Sequence, residues 1–178
     1  MDAMRKKILI TGGCRSGKSR YALGYANQHF SKKLYLATCE ALDEEMIQRI
    51  EHHKKMRGPD WQTVEEPIEI VDKINEYGDK VEAILLDCIT LWLSNLLMRQ
   101  DSDAKIMDEV DRFIKTVKQN EISFIIVSNE VGMGIVPADS LGRRFRDLQG
   151  MANQKIAEAA GTVILMISGI PMILKGEL

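Results

Sequence analysis

The residues with the clearest capacity for chemistry lie near the amino terminus, where residues 12–19 read Gly-Gly-Cys-Arg-Ser-Gly-Lys-Ser. This spacing fits the phosphate-binding pattern G-x-x-x-x-G-K-[ST]. Glycines at Gly12, Gly13 and Gly17 are expected to adopt positive φ angles, which lets successive N–H groups converge on phosphate oxygens. The segment therefore predicts a loop that binds the phosphates of a nucleotide.

Two side chains of this loop have roles of their own. Lys18 adds a mobile positive charge for the phosphates, and Ser19 offers its hydroxyl to Mg²⁺. A helix that begins here would direct its unpaired N–H groups at the same anion. An ordinary glycine-rich turn is the alternative. The apolar residues 7–11 before the loop and the helical spacing of residues 20–26 after it favour nucleotide binding.

A carboxylate closes another apolar run, because Asp87 directly follows Ile84, Leu85 and Leu86. A carboxylate at the end of a strand can bind Mg²⁺ directly or through water. Aspartate is also a common N-cap of helices, so the position alone leaves both roles open. Beside a phosphate-binding loop, the metal role is favoured.

Two adjacent histidines lie on a predicted amphipathic helix over residues 43–57. The helical period places His53 on the apolar face, whereas His52 points sideways. Three cations follow at once, namely Lys54, Lys55 and Arg57. They would offset the charge of a phosphate attacked by an imidazole nitrogen, and the resulting phosphoramidate would divide a nucleotidyl transfer into two steps. Solvated histidines and, less favoured, metal ligation are the alternatives.

The elements that must position these residues alternate along the chain. Continuous apolar runs predict strands at residues 7–11, 33–38, 83–87, 124–128 and 163–167. Helical spacing covers residues 43–56, 68–77, 106–117 and 140–160. This alternation predicts an α/β fold with a mostly parallel sheet flanked by helices, and such sheets bind ligands at the carboxyl ends of their strands.

Length and composition limit the classes of function. A chain of 178 residues, 45% of them hydrophobic, without a linker or repeat, predicts one domain over residues 1–178. The 24 Lys and Arg against 26 Asp and Glu include no basic stretch, so no nucleic-acid partner is expected. Three separated cysteines, no secretory segment and no apolar run long enough to cross a bilayer predict a cytoplasmic protein without membrane insertion.

Ten stretches, taken together, are similar to one enzyme family. They are residues 10–20, 35–38, 43–54, 61–65, 86–90, 95–97, 128–137, 144–147, 153–154 and 168–170. The chain resembles the bifunctional adenosylcobinamide kinase/adenosylcobinamide-phosphate guanylyltransferases over almost its whole length. The run Asn-Glu-Val-Gly-Met-Gly-Ile-Val-Pro at residues 129–137 and the His-His-Lys helix are far more specific than the phosphate loop alone.

The resemblance implies a P-loop NTPase fold of the RecA-like type and two activities that use ATP, GTP and Mg²⁺. A nucleoside triphosphate phosphorylates the aminopropanol hydroxyl of adenosylcobinamide, a corrinoid. A histidine then attacks the α-phosphate of GTP and passes GMP to the new phosphate, giving adenosylcobinamide-GDP in cobalamin biosynthesis. The resemblance also implies a homotrimer.

Site residues follow from the same resemblance. The nucleotide site would comprise Gly12, Gly13, Cys14, Arg15, Ser16, Gly17, Lys18, Ser19, Ala37, Thr38, Cys39, Lys54, Lys55, Met56, Arg57, Glu65 and Asp87. The metal would be held by Ser19 and Asp87. Lys18 and a guanylylated histidine would be catalytic, and the apolar face together with the binding residues from Lys54 onward favours His53 over His52.

Two other functions fit the phosphate loop taken by itself. One is a monofunctional kinase for another small alcohol, with both histidines solvated. The other is a non-enzymatic or motor-type nucleotide-binding protein related to recombinase-like ATPases. The sequence pI of about 6.0 argues against the form that would act on nucleic acid.

Overall fold

The computed structural model describes residues 5–40, 58 and 60–177 of the chain. The helix predicted over residues 43–56, which carries His52 and His53, lies outside the described residues. So do four predicted nucleotide-binding residues, namely Lys54, Lys55, Met56 and Arg57.

A seven-stranded sheet forms the centre of the described part of the chain. Its strands are β1 (Lys7–Gly12), β2 (Lys33–Ala37), β3 (Trp61–Glu65), β4 (Ala83–Asp87), β5 (Ser123–Val127), β6 (Thr162–Ile167) and β7 (Ile170–Lys175). Their spatial order is β3-β2-β4-β5-β1-β6-β7. All neighbouring strands run parallel except β7, which is antiparallel to β6.

The helices connect these strands as the alternation predicts. They are α1 (Lys18–His29), α2 (Ile70–Tyr77), α3 (Ile89–Met98), α4 (Asp103–Gln119) and α5 (Ser140–Ala159), with a 3₁₀ turn at Gly78–Lys80. Side-chain caps fix the starts of α4 and α5, because Ser102 accepts from the Lys105 N–H and Asp139 accepts from the Gly142 N–H. The predicted α/β fold with a mostly parallel sheet is confirmed.

Three elements were not among the predicted ones, and each has a physical reason. The edge strand β3 has mostly exposed or half-buried residues, so it lacks the apolar run of a buried strand. Strand β7 contains Pro171 and is exposed throughout, as an edge position allows. Helix α3 is so apolar that its sequence shows little helical contrast between faces.

The core has two layers, one on each face of the sheet. Alternate residues of β1 supply both, since Leu9 packs with α2, α3, α4 and α5 on one face, whereas Ile8 and Ile10 pack with α1 on the other. The first layer is the larger and contains the fully buried Trp92 and Phe113. Among the described residues, no helix is long and apolar enough to cross a membrane.

Strand β1 lies between β5 and β6 and carries the phosphate loop at its carboxyl end. Its last residue, Gly12, pairs with Met166 of β6 and has a φ of 143°. A methyl group on Gly12 would overlap the backbone carbonyl oxygen of Met166. The loop therefore starts where two strands approach too closely for any side chain.

The β6–β7 hairpin ends in a turn against that loop. Gly169, at φ 84°, donates its N–H to the backbone carbonyl of Ser16 at 3.0 Å. Along the hairpin, Ile167 pairs with Ile170, and Leu165 pairs with Met172. One face of the hairpin exposes four large apolar side chains, namely Ile167 (50%), Ile170 (69%), Met172 (51%) and Leu174 (57%).

The close approach at Gly12 generates a test with a neighbouring control. Gly12→Ala should lower the free energy of unfolding by about 2 to 4 kcal/mol. Alanine disfavours the positive φ angle of this position, and its methyl group would overlap the backbone carbonyl of Met166, which the sheet holds in place. Gly13→Ala should change it by less than about 1 kcal/mol, because a Cβ there meets open space. Urea unfolding of the ligand-free protein measures both. Equal losses in the two variants would contradict this account of the loop.

Candidate nucleotide-binding and transferase site

The backbone of the phosphate loop differs from the prediction at one position. Gly12 and Gly17 have the expected positive φ angles, 143° and 96°. Gly13 does not, and Arg15 instead adopts the left-handed conformation at φ 56°. The prediction for Gly13 is therefore wrong. The loop makes its second bend at Arg15, and the Ser16 N–H donates to the Gly13 carbonyl at 3.3 Å across that bend.

Lys18 folds back over the loop. Its Nζ donates to the backbone carbonyls of Gly12 and Gly13, at 3.0 Å and 2.6 Å, and lies 3.5 Å from Ser16 Oγ. The side chain is 7% exposed. An ammonium held among loop carbonyls is already in position to turn toward a phosphate bound by the same loop.

The first turn of α1 completes this anion site. Its N-cap is Gly17, which has no side chain to occupy the free N–H groups, and the first turn contains no acidic residue. The positive end of the helix therefore faces the loop without a carboxylate from its own first turn. Half-buried Ser19 lies in this turn, next to Lys18.

Asp87 ends β4, two strands away from β1 in the sheet. Its Oδ2 accepts a hydrogen bond from the hydroxyl of Tyr35 at 2.8 Å, and Tyr35 is 3% exposed. The N-cap of α3 is Cys88, whose side chain makes no capping hydrogen bond. Asp87 thus does not serve as the N-cap, which was the alternative to its metal role.

The end of β2 is joined to the end of β4. Thr38 Oγ1 donates to the Cys88 carbonyl at 2.7 Å and accepts from the Cys88 N–H at 2.8 Å. The Thr38 carbonyl accepts from Asn95 Nδ2 at 2.9 Å, and Thr38 itself is fully buried. The Thr38 hydroxyl therefore holds the two strand ends together, while its neighbours Ala37 and Cys39 continue along the same edge.

The structure separates those predicted nucleotide-binding residues that it describes into two groups. Residues 12–19 lie at β1, with Asp87 two strands away. Residues 37–39 and the exposed Glu65 lie at the ends of β2 and β3, where Ala37 pairs with Glu65. Four strand spacings of about 4.8 Å place Glu65 about 19 Å across the sheet from Gly12. One edge of the sheet thus presents two regions, with Asp87 between them.

Oxygen donors at this edge suit Mg²⁺. A carboxylate at Asp87 and a hydroxyl at Ser19 are the hard ligands that this ion prefers. The described residues contain no cluster of three or more histidine, cysteine or acidic side chains that could hold a metal. Phosphate oxygens and water would have to complete the coordination, as is usual for Mg²⁺ in phosphoryl transfer.

The segment after β5 makes polar contacts that the sequence alone could not show. The Ser128 N–H donates to the Ile10 carbonyl and the Glu130 N–H donates to the Gly12 carbonyl, each at 3.0 Å. Asn129 between them is bonded to Thr90 and Asn153. Some of these residues belong to the stretches that are similar to the enzyme family, but only the fold shows that they contact one another.

Comparisons with known proteins point to one family. The sequence matches a family described as cobinamide kinase / cobinamide phosphate guanyltransferase, CobU, over residues 8–174. The bifunctional adenosylcobalamin biosynthesis protein CobU of Salmonella typhimurium is 41% identical over 183 residues, 94% of this chain and 99% of its own. CobP of Pseudomonas aeruginosa, with the same description, is 39% identical over 169 residues, 95% of this chain and 97% of its own.

Solved structures with the same fold have distant sequences. The secretion ATPase EscN of enteropathogenic E. coli superposes with a TM-score of 0.60 at 10% identity, over 92% of this chain and 43% of its own. The RadB recombinase superposes with a TM-score of 0.52 at 14% identity, over 90% of this chain and 73% of its own. At such identities the likeness shows the fold alone, and it confirms the predicted P-loop NTPase fold.

A further relative is the bifunctional adenosylcobalamin biosynthesis protein CobU of Escherichia coli, 39% identical over 180 residues, 94% of this chain and 99% of its own. Relatives of this identity and coverage, together with the match over residues 8–174, leave one conclusion. The chain belongs to the CobU family of cobinamide kinases and cobinamide phosphate guanyltransferases.

Proposed function

We propose that this chain phosphorylates the aminopropanol hydroxyl of adenosylcobinamide and then transfers GMP from GTP to the new phosphate, forming adenosylcobinamide-GDP. The observation that carries the proposal is the family match over residues 8–174 combined with the phosphate loop that the structure builds at residues 12–19. Both steps are transfers from a nucleoside triphosphate, so one nucleotide-binding edge can serve both.

The kinase step uses the loop and α1. The N–H groups of residues 12–19 and the start of α1 bind the β- and γ-phosphates, and Lys18 turns from the carbonyls of Gly12 and Gly13 to the γ-phosphate. The substrate hydroxyl oxygen attacks the γ-phosphorus, the bond to the bridging oxygen breaks, and the nucleoside diphosphate leaves. Either ATP or GTP fits these contacts, because they involve phosphates and not the base.

The magnesium ion is part of the same proposal. Ser19 and Asp87 would hold it, and it would neutralise the charge of the phosphates during transfer. Tyr35 keeps the Asp87 carboxylate in one orientation through its hydrogen bond at 2.8 Å. Outer residues of this kind commonly tune metal affinity.

The guanylyl step requires a nucleophile, and we assign it to His53. The sequence places His53 on the apolar face of its predicted helix, directly before the cations Lys54, Lys55 and Arg57. A neutral imidazole nitrogen attacks the α-phosphorus of GTP and pyrophosphate leaves. The phosphate of the phosphorylated corrinoid then attacks the same phosphorus and releases the histidine. Residues 37–39 and Glu65, at the far side of the edge, are assigned to the nucleotide of this step.

The apolar face of the β6–β7 hairpin supports the proposed homotrimer. Four exposed apolar side chains on one hairpin face are unusual for a monomer. Strand β7 is also an edge of the sheet formed by the described residues, and its outer backbone groups pair with no other strand of that sheet, so another chain could cover them. A second copy of this chain is the occupant that the family resemblance implies.

The histidine assignment predicts a covalent intermediate. Protein incubated with GTP labelled at the α-phosphate, without corrinoid, should retain GMP through a bond that breaks in acid and survives alkali, as a P–N bond does. Peptide mapping should place the label on His53. His53→Ala should lose both the label and adenosylcobinamide-GDP formation while keeping the kinase step, and His52→Ala is the matched control that keeps all three.

Each alternative gives its own result in that experiment. Label on His52, or a normal rate of GDP-adduct formation by His53→Ala, would show that the assignment of the nucleophile is wrong. A wild-type protein that phosphorylates an alcohol but never retains GMP would be a monofunctional kinase. Nucleotide hydrolysis stimulated by DNA, without a corrinoid product, would indicate a motor-type protein. Lys18→Ala should lose both activities under the bifunctional proposal.

The Tyr35 contact predicts an effect on metal dependence. Tyr35→Phe should raise the Mg²⁺ concentration for half-maximal kinase rate about ten-fold, because Asp87 loses the hydrogen bond from the Tyr35 hydroxyl that helps to orient its carboxylate. Tyr25→Phe is a suitable control, since Tyr25 is also buried and its hydroxyl makes no hydrogen bond within the described part of the chain. Titration of Mg²⁺ against the initial rate measures the effect. An unchanged Mg²⁺ requirement in Tyr35→Phe would contradict the assignment of Asp87 as a metal ligand that Tyr35 orients.

The assembly proposal predicts a change of mass. Light scattering should give a molar mass of three times 20.1 kDa for the wild-type protein and of 20.1 kDa for Ile170→Asp. Burying a carboxylate in an apolar interface is strongly unfavourable, which is why one substitution should suffice. Met98→Asp, at another exposed apolar position, should remain trimeric. A trimeric Ile170→Asp protein would exclude the hairpin face as the interface.

A further inference from the structure

Asn129 occupies a distinctive place at the sheet edge. It follows β5, and β5 lies between β1, which carries the phosphate loop, and β4, which ends at Asp87. The ladder with β1 continues past the end of β5, because the Ser128 N–H donates to the Ile10 carbonyl and the Glu130 N–H donates to the Gly12 carbonyl, each at 3.0 Å. The backbone of Asn129 is therefore fixed beside the start of the phosphate loop.

Both backbone groups of Asn129 are held by side chains from two different helices. Its N–H donates to Thr90 Oγ1 of α3 at 2.8 Å. Its carbonyl accepts from Asn153 Nδ2 of α5 at 3.0 Å. Thr90 is 7% exposed and Asn153 is 8% exposed, so neither hydrogen bond competes freely with water.

The orientation of the Asn153 carboxamide is fixed by two further side chains. Its Oδ1 accepts from Ser128 Oγ at 2.6 Å and from Gln149 Nε2 at 2.9 Å. Gln149 and Ser128 are fully buried. With Oδ1 satisfied by two donors, Nδ2 has to face the Asn129 carbonyl.

The side chain of Asn129 points to the opposite side of the sheet. Ser128 faces α5, through its contacts with Gln149 and Asn153. By strand alternation Asn129 shares the face of Val127, which packs with α1. That face also carries Tyr35, the hydrogen-bond partner of Asp87.

The Asn129 carboxamide itself has no hydrogen-bond partner within residues 5–40 and 60–177, in contrast to the backbone N–H and carbonyl of the same residue. Its backbone N–H and carbonyl are both hydrogen-bonded, while its half-buried side chain follows β5, the strand that lies between β1 with its phosphate loop and β4 with Asp87. A fold that needed only the backbone bonds would not need a carboxamide there. The arrangement is that of a preorganised donor facing a ligand.

We propose that Asn129 is a further catalytic residue, whose Nδ2 donates to an oxygen of the terminal phosphate of the bound nucleoside triphosphate, and that Thr90 and Asn153 are the positioning residues that hold it there. This inference rests on the proposed kinase function. A neutral donor that is held rigidly stabilises the phosphoryl group during its transfer. Because it adds no positive charge, it does not hold back the phosphorylated product.

The first test is one of binding and needs no corrinoid. Wild-type protein should bind a non-hydrolysable triphosphate analogue more tightly than the corresponding diphosphate in calorimetric titrations. In Asn129→Ala this preference should fall about ten-fold, because only the triphosphate reaches the carboxamide. Gln154→Ala, an exposed amide next to Asn153 on α5, should keep the wild-type preference. An unchanged preference in Asn129→Ala would overturn the assignment.

The second test is kinetic and separates positioning from general stability. Asn129→Ala should lower kcat of phosphoryl transfer about 100-fold with a change of less than about three-fold in KM for adenosylcobinamide. Thr90→Val and Asn153→Ala should each lower kcat about ten-fold on their own, yet have no further effect when combined with Asn129→Ala. Kinetics are measured well below each variant's melting temperature.

The outcomes distinguish this inference from the proposed function. Additive effects in the double variants would show that Thr90 and Asn153 act independently of Asn129 and would overturn their positioning role. Wild-type kcat in Asn129→Ala would overturn the catalytic role. A wild-type protein that transfers no phosphate to adenosylcobinamide would contradict the proposed function, and the binding test would then decide the contact between Asn129 and the terminal phosphate by itself.

Discussion

The close approach of β1 and β6 at Gly12 is the constraint on which the site depends. The absence of a side chain there lets the loop turn directly over Met166. The carbonyl of Gly12 then receives both Lys18 Nζ and the Glu130 N–H, each at 3.0 Å. One backbone group thus joins the phosphate loop, its lysine and the segment after β5. A larger residue at this point would displace all three together.

Much of the fold could be predicted because buried parallel strands have a strong local signature. The centres of β1 and β4, residues 8–10 and 83–86, are apolar and buried, and the strand ends carried the two most informative positions, Gly12 and Asp87. Strand β3 gave no such signal, since an edge strand can remain exposed. The expectation that the loop glycines adopt positive φ angles failed at Gly13, and Arg15 adopts the left-handed conformation instead. The conformation of a loop depends on the strands and hairpin that pack around it.

The site was less predictable than the fold, because its contacts connect residues that are distant in sequence. Nothing local relates Thr90, Asn129 and Asn153, which the sheet and two helices bring together. Strand order also determines that Glu65 lies far across the edge from Gly12, which sequence spacing could not show. The two separated regions suit a protein that performs two transfers, with Asp87 lying between them.

The central claim is that one chain transfers two different parts of a nucleotide to one corrinoid. A single reaction of wild-type protein with adenosylcobinamide and GTP, labelled separately at the γ- and α-phosphates, tests it most directly. The account predicts a corrinoid product that contains one phosphorus from the γ-position and one from the α-position, together with guanosine. A product that carries only the γ-label, or no labelled corrinoid at all, would contradict it.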